Sequence, residues 1–292
     1  MTCGQANPAL PAPAQPWSEW RTDRAPLADR GQLSGFLRAL GAEDSGLDEA
    51  DAGANVTLWR VREGATLLHE GAPAQALYVL RSGSLKCIRT LEDGYEQVLA
   101  FTQPGELFGF EALHSGRQPS GVVALEDSSV YALPLQGLRA LRQRCAPLDQ
   151  ALQMALSRQL VRAAGTAEMM AAVAADARLA RFLLWMSARM AEAGRSPRRL
   201  NLRMCRRDIA SLLGVAHETV SRSFGLLAEA GLVKVENREV EILDLDALRR
   251  RGRSTRGPVD AGANPARQAS AAKAAPTAPA PWFPGPVALA TA

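Results

Sequence analysis

The sequence predicts an α+β fold in three parts: an N-terminal β jelly roll, a long central dimerisation helix and a C-terminal winged helix-turn-helix. Three observations carry this. Over residues 56–135 short apolar runs alternate with glycine-containing turn signals. Over 138–193 no proline follows Pro147, and Ala, Leu, Met and Arg dominate. Over 205–243 two helical patterns parted by Gly214 lead into two strand-like runs.

Residues 1–30, rich in Pro, Ala and polar side chains, are predicted to be a disordered extension. The roll domain is placed at 31–140. It opens with a short helix or two around Leu33, Phe36, Leu37 and Leu40, followed by the acids Glu43, Asp44, Asp48, Glu49 and Asp51. Strands are predicted at 66–69, 76–81, 84–89, 97–101, 121–124 and 128–133. Glu63-Gly64, Glu70-Gly71-Ala72-Pro73, Ser82-Gly83, Asp93-Gly94 and Pro104-Gly105 separate them.

The dimerisation helix is placed at 141–175. Leu148, Leu152, Leu156, Leu160, Ala163, Ala167 and Met170 form a stripe about 120° wide at about 100° per residue. Such a stripe needs a partner, either the roll itself or the same helix of a second subunit; a homodimer is the expectation. A second helix at 177–193 carries Leu179, Phe182, Leu183, Met186 and Met190 as core.

The helix-turn-helix belongs to a domain at 176–250. Asp208 suits the positive end of a first helix, and Ile209, Leu212 and Leu213 give that helix an apolar face. Gly214 ends it, since glycine takes positive φ without strain. A second helix runs from about 217 to 230, with Val220, Phe224 and Leu227 inward. Glu218, Ser221 and Arg222 fall at i, i+3, i+4 and share the opposite face, where they could reach base edges in a major groove. His217 and Thr219 flank them. Runs at 232–235 and 240–243, joined by Asn237-Arg238, suggest a wing. A generic helical hairpin with a solvated face is the plainer alternative. Residues 251–292 read as a disordered tail, with Trp282-Phe283 unexplained.

The chain of 292 residues is 47% hydrophobic with a net charge of +4, too small a charge to argue for nucleic acid by itself. Its distribution says more. Arg195, Arg198, Arg199, Arg203, Arg206 and Arg207 cluster ahead of the recognition segment without an acid among them, and Arg206 and Arg207 are expected to meet phosphates. Cys3, Cys87, Cys145 and Cys205 are scattered, without zinc or disulfide spacing. No signal peptide or membrane-spanning run is evident, so the cytoplasm is the expected compartment and no membrane partner is expected. No nucleophile elbow, P-loop or metal-ligand spacing supports an enzyme.

This order of parts resembles the Crp/Fnr family of bacterial transcription regulators. Leu77-Tyr78-Val79-Leu80, Ser82-Gly83 and Leu85 look like the opening of its cyclic-nucleotide-binding-type roll. Gly105-Glu106-Leu107-Phe108-Gly109-Phe110 looks like its central turn, and His217-Glu218-Thr219-Val220-Ser221-Arg222 matches its recognition helix. Gly109-Phe110-Glu111-Ala112, Ser115-Gly116, Pro119-Ser120 and Arg195-Ser196-Pro197-Arg198 point to the Fnr branch. The resemblance implies binding to double-stranded DNA at an inverted TTGAT-like repeat. Arg222 would donate to guanine, Glu218 accept from cytosine and Ser221 approach thymine. It also implies activation through RNA polymerase, which relatives touch around Asp93-Gly94-Tyr95-Glu96 and Glu126-Asp127-Ser128.

The sensory positions depart from the family. Cys3 stands alone, and Tyr131 lies where the roll cysteine is expected, which speaks against an iron–sulfur cluster. Phe110 stands near the position of the ribose-binding Glu, and Pro119-Ser120 near the phosphate-binding Arg-Ser, with Arg117 out of register; this speaks against a cyclic nucleotide. Haem through His69 and His114 stays open, as does a redox role for Cys205 beside Arg206 and Arg207. A ligand-sensing module acting on a protein partner is the reading from a different class.

Overall fold

The computed structural model describes residues 27–30, 32–42 and 55–253. The acidic stretch at 43–51, Trp282-Phe283, and nearly all of both predicted disordered segments lie outside these residues.

The roll has two antiparallel sheets, ordered β1-β2-β9-β4-β7 and β3-β8-β5-β6. Their strands are β1 (Leu27–Arg30), β2 (Thr57–Val61), β3 (Thr66–Leu68), β4 (Ala76–Ser82), β5 (Leu85–Thr90), β6 (Glu96–Thr102), β7 (Leu107–Phe108), β8 (Gly121–Ala124) and β9 (Ser128–Pro134). All six predicted strands are present. β1 pairs with β2, so four residues assigned to the extension belong instead to the sheet. β2 and the two-residue β7 also went unpredicted.

β4 and β9 form the centre of the larger sheet, and both of their faces are buried. Tyr78, Leu80, Val130 and Ala132 point into the roll, where Tyr78 stacks on Phe108 with ring centroids 5.4 Å apart. Leu77, Val79, Tyr131 and Leu133 point outward, onto α1 (Leu33–Ala39) and a later helix. Successive strand residues alternate between faces, so apolar residues at every position mean cover is needed on both sides.

That cover decides the fate of the long helical segment. It breaks at Cys145 into α2 (Leu138–Arg144) and α3 (Ala146–Met170). Pro147 has no N–H to continue the upstream helix, and its ring clashes with the preceding turn. The first turns of α3 lie against the sheet. Leu148, Ala151, Leu152 and Ala155 are buried there within the chain's own core. This corrects the expectation that Leu148 and Leu152 face a second subunit, because the roll already covers them. Leu156 packs partly on the same core, whereas Leu160 is 74% exposed and Ala163 is exposed.

After α3 comes α4 (Ala175–Glu192), around which the C-terminal domain packs. Its members are β10 (Arg199–Asn201), α5 (Arg206–Leu213), α6 (His217–Glu229), β11 (Val233–Glu236), β12 (Glu239–Ile242) and α7 (Leu245–Arg253). Leu179, Phe182 and Leu183 of α4 share one core with Ile209, Leu213, Val220, Phe224 and Leu227. The wing has a third strand, β10, against β12. Asn237 supplies the positive φ, 55°, at its turn.

Roll, α3 and α4 meet at one buried carboxylate. Glu106, in the turn before β7, pairs with Arg189 of α4 and, at 3.2 Å, with Arg162 of α3. Gln159 of α3 donates to the Leu107 carbonyl at 2.7 Å. Arg189 also lies over the Trp185 ring, 4.3 Å from its centroid. Removing one member of a buried ion pair leaves the other charge uncompensated. Glu106→Gln is therefore expected to cost about 3–5 kcal/mol in urea unfolding; a loss below about 1 kcal/mol would show that the junction is not structural.

Candidate nucleic-acid interface

Gly214 terminates α5 in the left-handed region, φ 61° and ψ 41°, as its position predicts. Arg178 of α4 fixes that corner by donating to the Leu213 carbonyl at 2.8 Å, where a cation suits the negative end of a helix. A Cβ on Gly214 would stand 3.0 Å from the Met170 methyl, so the turn is also a close approach.

From this corner α6 starts with His217. Val220, Phe224 and Leu227 are buried, and His217, Glu218, Ser221 and Arg222 are exposed along the other side. Thr219 is half-buried. Its hydroxyl accepts a 3.3 Å hydrogen bond from Arg222 Nη2, while Ser221 Oγ donates to the His217 carbonyl at 3.3 Å. A carboxylate, a hydroxyl and a guanidinium thus share one solvent-facing strip of helix. Together they can accept from cytosine N4, meet either kind of edge, and donate in bidentate fashion to guanine O6 and N7.

The basic cluster ahead of this strip does not form one surface. Arg207 is exposed, as expected. Arg206 is not presented to a phosphate. Its guanidinium lies 3.4 Å from the Phe224 ring centroid, where burial lowers its pKa and leaves Nη1 without a partner. It packs α5 onto α6, which corrects the phosphate role expected for it. Arg198 donates to the Leu243 carbonyl at 2.8 Å, and Arg203 pairs with Glu126 of the roll at 3.1 Å. Sequence shows charge density but not whether each long side chain has a nearer partner.

α5 also docks on the roll, which was not legible in the sequence. Lys86 of β5 donates to Asp208 Oδ1 at 2.8 Å, across 122 positions of sequence. Ser211 Oγ accepts the Val98 N–H of β6 at 2.8 Å, and Gln97 Nε2 donates to the Ser211 carbonyl. Cys205 is the N-cap residue of α5. Its N–H and its thiol both donate to Asp208 Oδ2, at 3.1 Å each. Burial alone would raise the Asp208 pKa; hydrogen bonds from Lys86 and Cys205 and the Lys86 charge outweigh it and hold the carboxyl below its ordinary value.

The sensory candidates do not converge. Cys87, Cys145 and Cys205 sit on β5, between α2 and α3, and at α5, while Cys3 lies outside the described residues. His69 and His114 are both exposed. Arg117 Nη1 donates to the Gly71 carbonyl at 2.8 Å, Ser120 Oγ bonds Cys87 Sγ at 2.9 Å, and Phe110 packs toward the α3 side. The residues present therefore do not fit a cyclic phosphate.

Residues 58–145 match the family described as the cyclic nucleotide-binding domain, and residues 177–251 match the Crp-like helix-turn-helix domain. The chain is 35% identical over 190 residues to the transcriptional regulatory protein btr of Bordetella pertussis, covering 65% of this chain and 78% of that protein. It is also 35% identical over 188 residues to the fumarate and nitrate reduction regulatory protein of Escherichia coli, covering 64% and 75%. Among solved structures it is similar to FixK2 from Bradyrhizobium japonicum, at TM-score 0.59 and 28% identity over 67% of this chain and 96% of that one. TTHB099, a CRP-family transcriptional regulator from Thermus thermophilus, matches at TM-score 0.55 and 25% identity over 66% and 95%. The similar proteins are transcriptional regulators, not enzymes. Among the described residues no helix is long and apolar enough to cross a membrane.

The docking of α5 has a pH signature. The folded pKa of Asp208 lies below its unfolded value of 3.8. Its pairing therefore stabilises fully above the unfolded value and is lost as pH falls through the folded one. Asp208→Asn should lower the unfolding free energy at neutral pH by about 1–3 kcal/mol, and the two proteins should converge below about pH 3. Urea titrations at both pH values check this, and a difference that persists in acid would exclude the charge as its origin.

Proposed function

This chain belongs to the Crp/Fnr family of transcription regulators, and on that premise we propose that it reads an inverted TTGAT-like repeat as a homodimer and activates transcription there. The observation that carries this is the exposed strip Glu218, Ser221 and Arg222 on α6. Arg222 donates to guanine O6 and N7, Glu218 accepts from cytosine N4, and Ser221 meets thymine. His217 and Arg207 supply flanking contacts to the backbone, which add affinity without sequence preference.

Dimerisation uses a different face of α3 from the one the stripe suggests. Met154, Leu160 and Val161 are 54%, 74% and 49% exposed, and Ala164 is exposed beside them. Met154, Val161 and Ala164 follow the spacing of seven and three that seams a coiled coil, with Leu160 at its flank. The seam is thus rotated away from Leu148 and Leu152. Contact with RNA polymerase falls to the exposed β5–β6 hairpin tip at 93–96, where Tyr95 is 45% exposed.

Arg222→Ala is expected to reduce discrimination between the TTGAT-like palindrome and a scrambled duplex by about 1–3 kcal/mol in fluorescence anisotropy. Unchanged affinity and preference would remove α6 as the reading helix. Leu160→Glu is expected to give monomers in sedimentation and to weaken palindrome binding with them. A Leu160→Glu protein that stays dimeric would place the seam elsewhere.

A further inference from the structure

On the outer side of the larger sheet, away from the interior of the roll, lies a cavity of about 390 Å³. Gly35, Arg38 and Ala39 of α1 form one side, Arg81 and the turn residues Pro104 and Gly105 another, and Tyr131 of β9 completes the lining. Its size is within the range of small-molecule sites. We propose that it binds a small organic oxyanion, a carboxylate or a phosphate ester.

Two guanidiniums from separate elements line this space. Each offers a planar fork of N–H donors that matches a carboxylate or phosphate at two points. Arg81 lies 5.8 Å from the Tyr131 ring centroid, a cation–π contact that orients its wall. Glycine makes the close approaches possible. A Cβ on Gly35 would stand 2.7 Å from the Tyr131 hydroxyl oxygen, and one on Gly105, at φ 87°, would stand 3.3 Å from the Ala39 carbonyl oxygen. Ala39 and Pro104 give the rest of the lining an apolar character suited to a short carbon skeleton.

The site also has a mechanical connection. Gly105 N donates to the Leu80 carbonyl at 2.8 Å, and Leu80 N donates to the Glu106 carbonyl at 3.1 Å. Arg81 and Pro104-Gly105 thus belong to one hydrogen-bonded unit that ends at the carboxylate paired with Arg162 and Arg189. An anion held between Arg38 and Arg81 ties α1 to that unit. The site stands independently of the DNA-reading assignment.

Isothermal titration of the full chain with inorganic pyrophosphate and, separately, with succinate tests the proposal. At least one probe is expected to bind saturably with one equivalent; pyrophosphate alone marks a phosphoryl ligand, and succinate alone a carboxylate. Arg38→Gln and Arg81→Gln, checked by circular dichroism for retained fold, should each weaken binding by at least about tenfold. Arg117→Gln, whose guanidinium bonds Gly71 instead, should leave it unchanged. No saturable heat from either probe overturns the proposal. So does wild-type affinity in the Arg38→Gln/Arg81→Gln double variant, or an equal loss in Arg117→Gln.

Discussion

Glu106 is the constraint around which the molecule is arranged. A carboxylate 4% exposed is unstable without compensation, and here both compensating cations come from other parts of the chain. Arg162 arrives on α3 and Arg189 on α4. The turn before β7, the helix that leaves the roll and the helix that begins the DNA-binding domain are therefore held in one relation. Burial lowers the Arg189 pKa while Glu106 opposes that shift, so each group needs the other to remain charged. A rearrangement of either domain must carry this cluster along or leave a charge stranded.

Much of the fold was legible in the sequence because its periods are local. Glycine-punctuated runs gave the strands, and the positions of Ile209, Leu212, Leu213, Val220, Phe224 and Leu227 gave the helix-turn-helix. The α3 stripe misled for a physical reason. Period shows which residues share a face, not what covers that face. Leu77, Val79, Tyr131 and Leu133 present a second apolar face on the roll, and Leu148 and Leu152 satisfy it. Two-sided burial is visible along β4 as an unbroken apolar run, a signal that could have assigned the helix to the sheet.

The reading face was legible for the same reason, since Glu218, Ser221 and Arg222 are related by helical spacing alone. The arginines were not. Whether Arg206 reaches a phosphate or folds over Phe224, and whether Arg203 meets Glu126, depends on neighbours that only the tertiary structure supplies. Lys86 and Asp208 lie too far apart in sequence for any local pattern to pair them.

β6 closes one side of the smaller sheet and pairs only with β5 within it. Such a strand leaves a row of backbone groups open to foreign chains. Here Ser211 takes the Val98 N–H and receives the Gln97 amide, so α5 acts as a guard over part of that border. The DNA-binding domain thereby has a role unrelated to DNA. While it is docked, it shields the roll against strand addition; a regulator that swings this domain free to work exposes an adhesive edge, and limits on aggregation then become limits on how long it can stay open.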